Sequence, residues 1–133
     1  MVPAIRIKDA AALLGVSDDT IRRRVDSGTL PSSTDESGRK VIAGDVLAGF
    51  ARDHASPPPD PLGVGSSARN RFTGLVTKVT SDRVMSEVQM QCGPFTVVSL
   101  MSTESVRQLG LQPGSVAVAA VKATTVVVET PAS

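Results

Sequence analysis

Residues 84–100 read V-M-S-E-V-Q-M-Q-C-G-P-F-T-V-V-S-L. Val84, Val88, Met90 and Cys92 point one way, while Glu87, Gln89 and Gln91 point the other. This period of two marks a half-buried strand, with Cys92 on its core side. Gly93-Pro94 is a turn, and residues 95–100 form the return strand. Upstream, residues 72–80 are rich in Thr and Val and give a third strand. Downstream, residues 115–121 and 124–129 give two more. One helix interrupts the series: Ser102 is its N-cap, Met101 and Val106 occupy staple positions, and Gly110 ends it. Gln112-Pro113-Gly114 forms a tight turn. Five short strands and one small helix predict an OB-like β-barrel.

Ahead of this block, residues 55–67 read A-S-P-P-P-D-P-L-G-V-G-S-S and hold four of the nine prolines. The Pro run favours an extended chain and the Gly/Ser end is flexible. It separates a domain at 1–54 from one at 67–130, with 55–66 as linker. Through Asp60 the chain carries eight basic and nine acidic residues, and beyond it six and four, so the halves carry −1 and +2. The net charge of +1 excludes a globally basic nucleic-acid coat but permits a local patch. Phe50, Phe72 and Phe95 are the three aromatic side chains apart from His54, too few for a base-stacking RNA platform. One cysteine, Cys92, and one histidine, His54, exclude an intrachain disulfide and a Cys- or His-rich metal site. His54 is read as a partner of a helix C-terminus. No apolar run is long enough for a membrane span and the N-terminus lacks a signal-peptide core, so a cytoplasmic location is expected. Domains this small are marginal alone, and the C-terminal one is expected to self-associate.

Residues 9–14, D-A-A-A-L-L, are strong helix formers, and Gly15 follows at a C-cap position. Ser17 offers an N-cap hydroxyl, with Asp18 and Asp19 in the next first turn. Ile21 and Val25 share a face, Arg22, Arg23 and Arg24 take the remaining directions, and Gly28 stops the helix. Three consecutive arginines point 100° apart, so at most two face one partner, and one can pair with Asp19 or Asp26 instead. Two short helices across a Gly-containing turn predict a helix-turn-helix. Leu30-Pro31, a polar stretch and residues 38–42 predict a wing, and residues 45–54 a third helix.

The string I-K-D-A-A-A-L-L-G-V-S-D-D-T-I-R-R-R-V-D-S-G-T-L-P resembles the excisionase/MerR-type winged helix-turn-helix. The resemblance implies that the second helix enters a DNA major groove. Thr20, Arg22, Arg23 and Arg24 are then the groove candidates, and Arg39 and Lys40 of the wing approach backbone or minor groove. Asp18 and Asp19 suit the helix dipole but repel phosphate.

In the C-terminal part, Ser67-Ala68-Arg69-Asn70, then Gly74, then S-T-E-S-V-x-x-L-G-L, then Pro113-Gly114 and V-K-A-T resemble the Mop/TOBE domain of molbindins and molybdate-responsive regulators. The resemblance implies a molybdate or tungstate site between two copies of the domain. Ser67, Ala68, Arg69 and Asn70 match the first motif, Ser102 and Ser105 the hydroxyl pair, and Lys122, Ala123 and Thr124 the last. Molybdate is a tetrahedral dianion with four acceptor oxygens, so a site made of amides, hydroxyls and one or two cations suits it. Each residue also has a plain structural reading: Ser102 as a cap, Ser105 and Lys122 as solvated surface, Arg69 paired elsewhere. Ala123 stands where some members carry a hydroxyl.

The expected architecture is α+β, a small winged helix-turn-helix domain plus a five-stranded OB-like barrel with one short helix. No catalytic constellation stands out, so no enzyme is expected. The function expected is a molybdate- or tungstate-binding transcriptional regulator of molybdenum homeostasis. Its partners are double-stranded DNA and further copies of itself, as a dimer or larger ring. The alternative is a molbindin-like storage protein without sequence-specific DNA contact.

Overall fold

The computed structural model describes residues 2–132. The chain divides into two compact units, one running through Pro57 and one from Pro58 onward.

The first unit packs three helices on a small sheet. α1 (Ile7–Leu14) ends at Gly15, whose φ of 69° lets its amide turn back onto the Ala11 and Ala12 carbonyls. α2 (Asp18–Asp26) starts at Ser17, whose Oγ accepts the Thr20 amide at 3.2 Å. Both boundaries follow the expected cap chemistry. β2 (Ser33–Thr34) and β3 (Lys40–Ala43) make the wing, and the Asp35 carboxylate closes its turn by accepting the Ser37 and Arg39 amides. α3 spans Gly44–Asp53. β1 (Ala4–Arg6), too short to show a period, pairs with β3 and completes the sheet order β1-β3-β2. Ile7, Ala10, Ala11, Ile21, Leu30, Ile42 and Leu47 form a closed core.

The second unit is a curled antiparallel sheet of order β6-β5-β4-β7: β4 (Asn70–Ser81), β5 (Met85–Cys92), β6 (Phe95–Ser102) and β7 (Val116–Val121). α4 (Thr103–Leu109) links β6 to β7, capped by Ser102 at its start and by left-handed Gly110 at its end. β4 hands over from β7 to β5 around Leu75, which is paired to both Val116 and Gln91. An irregularity between Val76 and Lys78 adds to the curl. Gly74 lies at this crossing: a Cβ there would come within 2.3 Å of the Gln91 carbonyl oxygen and 2.7 Å of Cys92 Sγ. Val76, Val88, Met90, Cys92 and Val106 form the core. The alternation read from 84–92 holds from Ser86 to Cys92, with Ser86 on the inward face, where its hydroxyl meets those of Ser81 and Thr103 at 2.6 and 2.8 Å.

Two expectations are corrected. Val84 lies in the turn before β5, where Asp82 accepts the Val84 and Met85 amides, and its side chain is exposed. The fifth strand expected over 124–129 does not form. Ala123–Thr125 is a single 3-10 turn, in which the Lys122 carbonyl accepts both the amide and the hydroxyl of Thr125. That turn takes hydrogen bonds a continuing strand would need, and Val126, Val127 and Val128 leave the sheet exposed. The OB-like sheet is therefore a four-stranded half-barrel within one chain.

Candidate functional sites

In the second unit the β4–β7 register decides which residues meet. Asn70 is paired with Val121, and its side-chain amide donates to the Val121 carbonyl at 3.1 Å. Residues 67–70, which enter β4, are thereby set beside residues 122–124, which leave β7. Ser67, Arg69, Lys122, Ala123 and Thr124 are exposed there, and Ala68 is half-buried with its amide donating to Ser66 Oγ. Among the described residues neither Arg69 nor Lys122 has an ion-pair partner, and the two flank the Asn70–Val121 pair along the backbone.

Ser102 and Ser105 lie elsewhere. Ser102 is paired with Met85 at the start of β5, and β5 begins opposite Ser81, at the far end of β4 from Asn70. Ser102 Oγ accepts the Ser105 amide at 3.1 Å and contacts Ser105 Oγ at 2.7 Å. The hydroxyl pair thus caps α4. One chain brings the first and last motifs together and holds the serine pair at the opposite end of a twelve-residue strand.

In the first unit the three arginines of α2 diverge. Arg22 pairs with Asp19 at 3.6 Å, Arg23 donates to Thr20 Oγ1 at 3.3 Å, and Arg24 lies over the Phe50 ring at 5.9 Å. Asp26 takes Lys40 at 3.8 Å. Arg22, Arg39 and Lys40 line one surface depression together with Arg6, while Thr20, Arg23, Arg24 and Ser27 line the next. His54 sits at the end of α3, its Nδ1 3.0 Å from the Phe50 carbonyl and its ring stacked on Phe50. The described residues include no group of three metal-ligating side chains.

Residues 66–128 match the TOBE domain and residues 5–54 the helix-turn-helix domain. A molybdate binding protein from Sporomusa ovata is 30% identical, with 50% of this chain and 100% of that one covered, at a TM-score of 0.49. MopII from Clostridium pasteurianum is 33% identical, with the same shares covered, at 0.47. This chain carries a TOBE domain, with a helix-turn-helix domain ahead of it. The cytoplasmic molybdate-binding protein ModG, solved with molybdate bound, is 27% identical over 65% of this chain and 72% of its own, at 0.45. No curated protein matches the chain. Both matched families are binding domains rather than enzymes. No described helix is long and apolar enough to cross a membrane.

Three further residues, Arg6, Asp60 and Arg71, were not singled out by sequence reasoning. In the TOBE domain Arg71 Nε donates to Asp60 at 2.7 Å, tying the proline segment to β4. That bond, then the Leu62 amide on the same carboxylate, holds Asp60 below the usual carboxylate range. In the helix-turn-helix domain Arg6 joins the wing cations only because β1 pairs with β3. A basic residue just before a helix could have flagged Arg6, but nothing in the sequence links Asp60 to Arg71.

Proposed function

We propose that the chain is a molybdate- or tungstate-binding, DNA-binding transcriptional regulator of molybdenum homeostasis, acting in the cytoplasm. The reading rests on one observation above others. Two motifs far apart in sequence, residues 67–70 and 122–124, adjoin through the Asn70–Val121 pair. They do so in a TOBE domain at least 30% identical to two molybdate-binding proteins along their whole length. Lys122 and Arg69 supply charge, Ser67 and Thr124 hydroxyls, and Asn70 and Ala123 main-chain amides, with the Ala68 amide joining them once it turns from Ser66 Oγ. Because Ser102 and Ser105 stand at the other end of β4, a site using all of them draws on two copies, so the protein works as a dimer or larger closed ring.

On the DNA side, α2 enters the major groove with Thr20, Arg22 and Arg23, and Arg39 and Lys40 reach phosphates with Arg6 beside them. Arg24 steadies the helix from the Phe50 ring as well as adding charge. The division into 1–54, a 55–66 linker and 67–130 gives each activity its own domain.

Calorimetric titration with molybdate, tungstate and sulfate tests the anion reading. The first two bind alike and sulfate far more weakly, and Lys122→Ala loses about 1–3 kcal/mol. Absence of heat with both heavy oxyanions overturns it. A titration on the protein's own promoter DNA at fixed salt, with and without molybdate, tests regulation, with a shift of about 1–3 kcal/mol expected. The second reading, an oxyanion store without sequence-specific DNA contact, is favoured by the Arg22–Asp19 pair and Asp18 on the leading turn of α2. Equal and salt-dominated affinities for promoter and random DNA select it.

A further inference from the structure

The segment that leads into β4 has little to hold it. Leu62 and Val64 are exposed, and no residue from 58 to 69 joins the core of the second unit. Its own bonds are short-range: Asp60 Oδ1 accepts the Leu62 amide at 2.9 Å, and Ser66 Oγ accepts the Ala68 amide at 3.1 Å. Among the described residues one side-chain bond fastens residues 58–66 to the sheet. Arg71 Nε donates to Asp60 Oδ2 at 2.7 Å, and the arginine side chain is only 23% exposed. A short charge-assisted bond to a partly buried guanidinium is stronger than an ordinary solvated ion pair.

Arg71 is itself fixed by its strand. It pairs with Ala120, one step from the Asn70–Val121 pair that sets residues 67–70 beside residues 122–124. Residues 61–70 therefore form a loop whose two ends are held together at the start of β4. The matched TOBE domain begins at residue 66, so Asp60 reaches it from outside.

We infer that the Asp60–Arg71 pair is a clip that positions residues 67–70 for the oxyanion. Arg71 is occupied by the carboxylate, so it acts as a positioning residue and not as an anion ligand. Closing the loop removes conformations that residues 67–70 would otherwise sample, and an anion no longer has to order them on binding. The clip also shortens the free connection between the units. Only residues 55–59, three of them proline, lie between His54 and Asp60. The positioning role rests on the oxyanion reading above; the clip itself does not.

The partners carry opposite charges, which makes the test sharp. A pair acting on a dianion through charge alone gives opposite signs: loss of Asp60 tightens binding and loss of Arg71 weakens it. A clip gives the same sign for both. In the full chain, calorimetry with molybdate is expected to show Asp60→Ala and Arg71→Ala each weakened about threefold to tenfold, the scale of ordering a short segment on binding. The double variant is expected to bind no more weakly than either single one, because the pair is broken only once. NMR relaxation without any anion is expected to show residues 61–66 ordered in the wild type and mobile on the nanosecond scale in both single variants, with β5 and β6 unchanged. Opposite signs, or losses that add in the double variant, overturn the positioning role. Variants that bind molybdate as the wild type does overturn it too, and the oxyanion reading then stands. A wild type that binds no molybdate overturns that reading and the positioning role together. Residues 61–66 equally mobile in wild type and variants overturn the clip itself, whatever the calorimetry shows.

Discussion

The helix-turn-helix unit and the TOBE unit are of similar size, yet they treat apolar surface in opposite ways. The first closes on itself: Ile21 and Ile42 have no exposed surface, and Leu30 has 1%. Its sheet is small, and three helices with the wing pack around one buried cluster. The second buries a smaller cluster, while Phe95, Leu100 and Val116 stand mostly in solvent. A core of helices is completed by neighbours close in sequence. A barrel needs its last strand, and that strand here leaves the sheet at a 3-10 turn. Self-sufficiency in one unit and incompleteness in the other therefore follow from architecture rather than from composition.

The comparison can be broken most strongly in the first unit. Ile21→Ala leaves a cavity in a core with no slack, at a cost of about 2–5 kcal/mol. The helical signal of that unit is expected to melt at much lower temperature, while oxyanion binding by the second unit is retained. Loss of both in one transition, read by circular dichroism and calorimetry on one sample, would join the units into a single cooperative body.

Gly74→Ala is the matching cut in the second unit. The added methyl meets the backbone of Gln91, which cannot swing aside, so the cost is about 3 kcal/mol, the upper end for overpacking. Amide exchange along β4, β5 and β7 is expected to accelerate with α1 and α2 unchanged. Uniform exchange in both units would remove Gly74 as the keystone of the curl.

The smallest effect belongs to the Asp60–Arg71 pair. Its carboxylate sits below the ordinary 3.8, mainly through the Arg71 hydrogen bond and next through the Leu62 amide. A depressed folded value means that the bond stabilises above the ordinary value and is lost as pH falls through the lower one. A carboxyl NMR titration is expected to show the Asp60 midpoint rising towards 3.8 in Arg71→Ala. An unchanged midpoint would assign the depression to the turn amide alone.

Local chemistry made much of this fold legible in advance. Gly15, Ser17, Ser102 and Gly110 mark helix ends because caps are short-range, and each is found at its expected post. The alternation over 86–92 reports burial because strand side chains alternate, whereas Val84 precedes the strand and escapes the pattern. What stayed hidden depends on pairing across the chain. The pattern of 124–129 is that of a strand, but its register partner is not in the neighbouring sequence. The meeting of residues 67–70 with 122–124, and their separation from Ser102 and Ser105, follow from which strands neighbour β4. A motif gives residue types in order, and register alone gives distance.

The unpaired edge of β6 has a consequence for the chain when it is dilute or newly made. Its eight residues, F-T-V-V-S-L-M-S, hold no charge and no proline, and one side of the ladder offers its amides and carbonyls outward. These are the ingredients of open-ended stacking, in which identical segments add one upon another without limit. A closed partnership at that edge caps the ladder. While that edge stays open each copy is exposed to aggregation, and a single Lys placed on it would act as a gatekeeper.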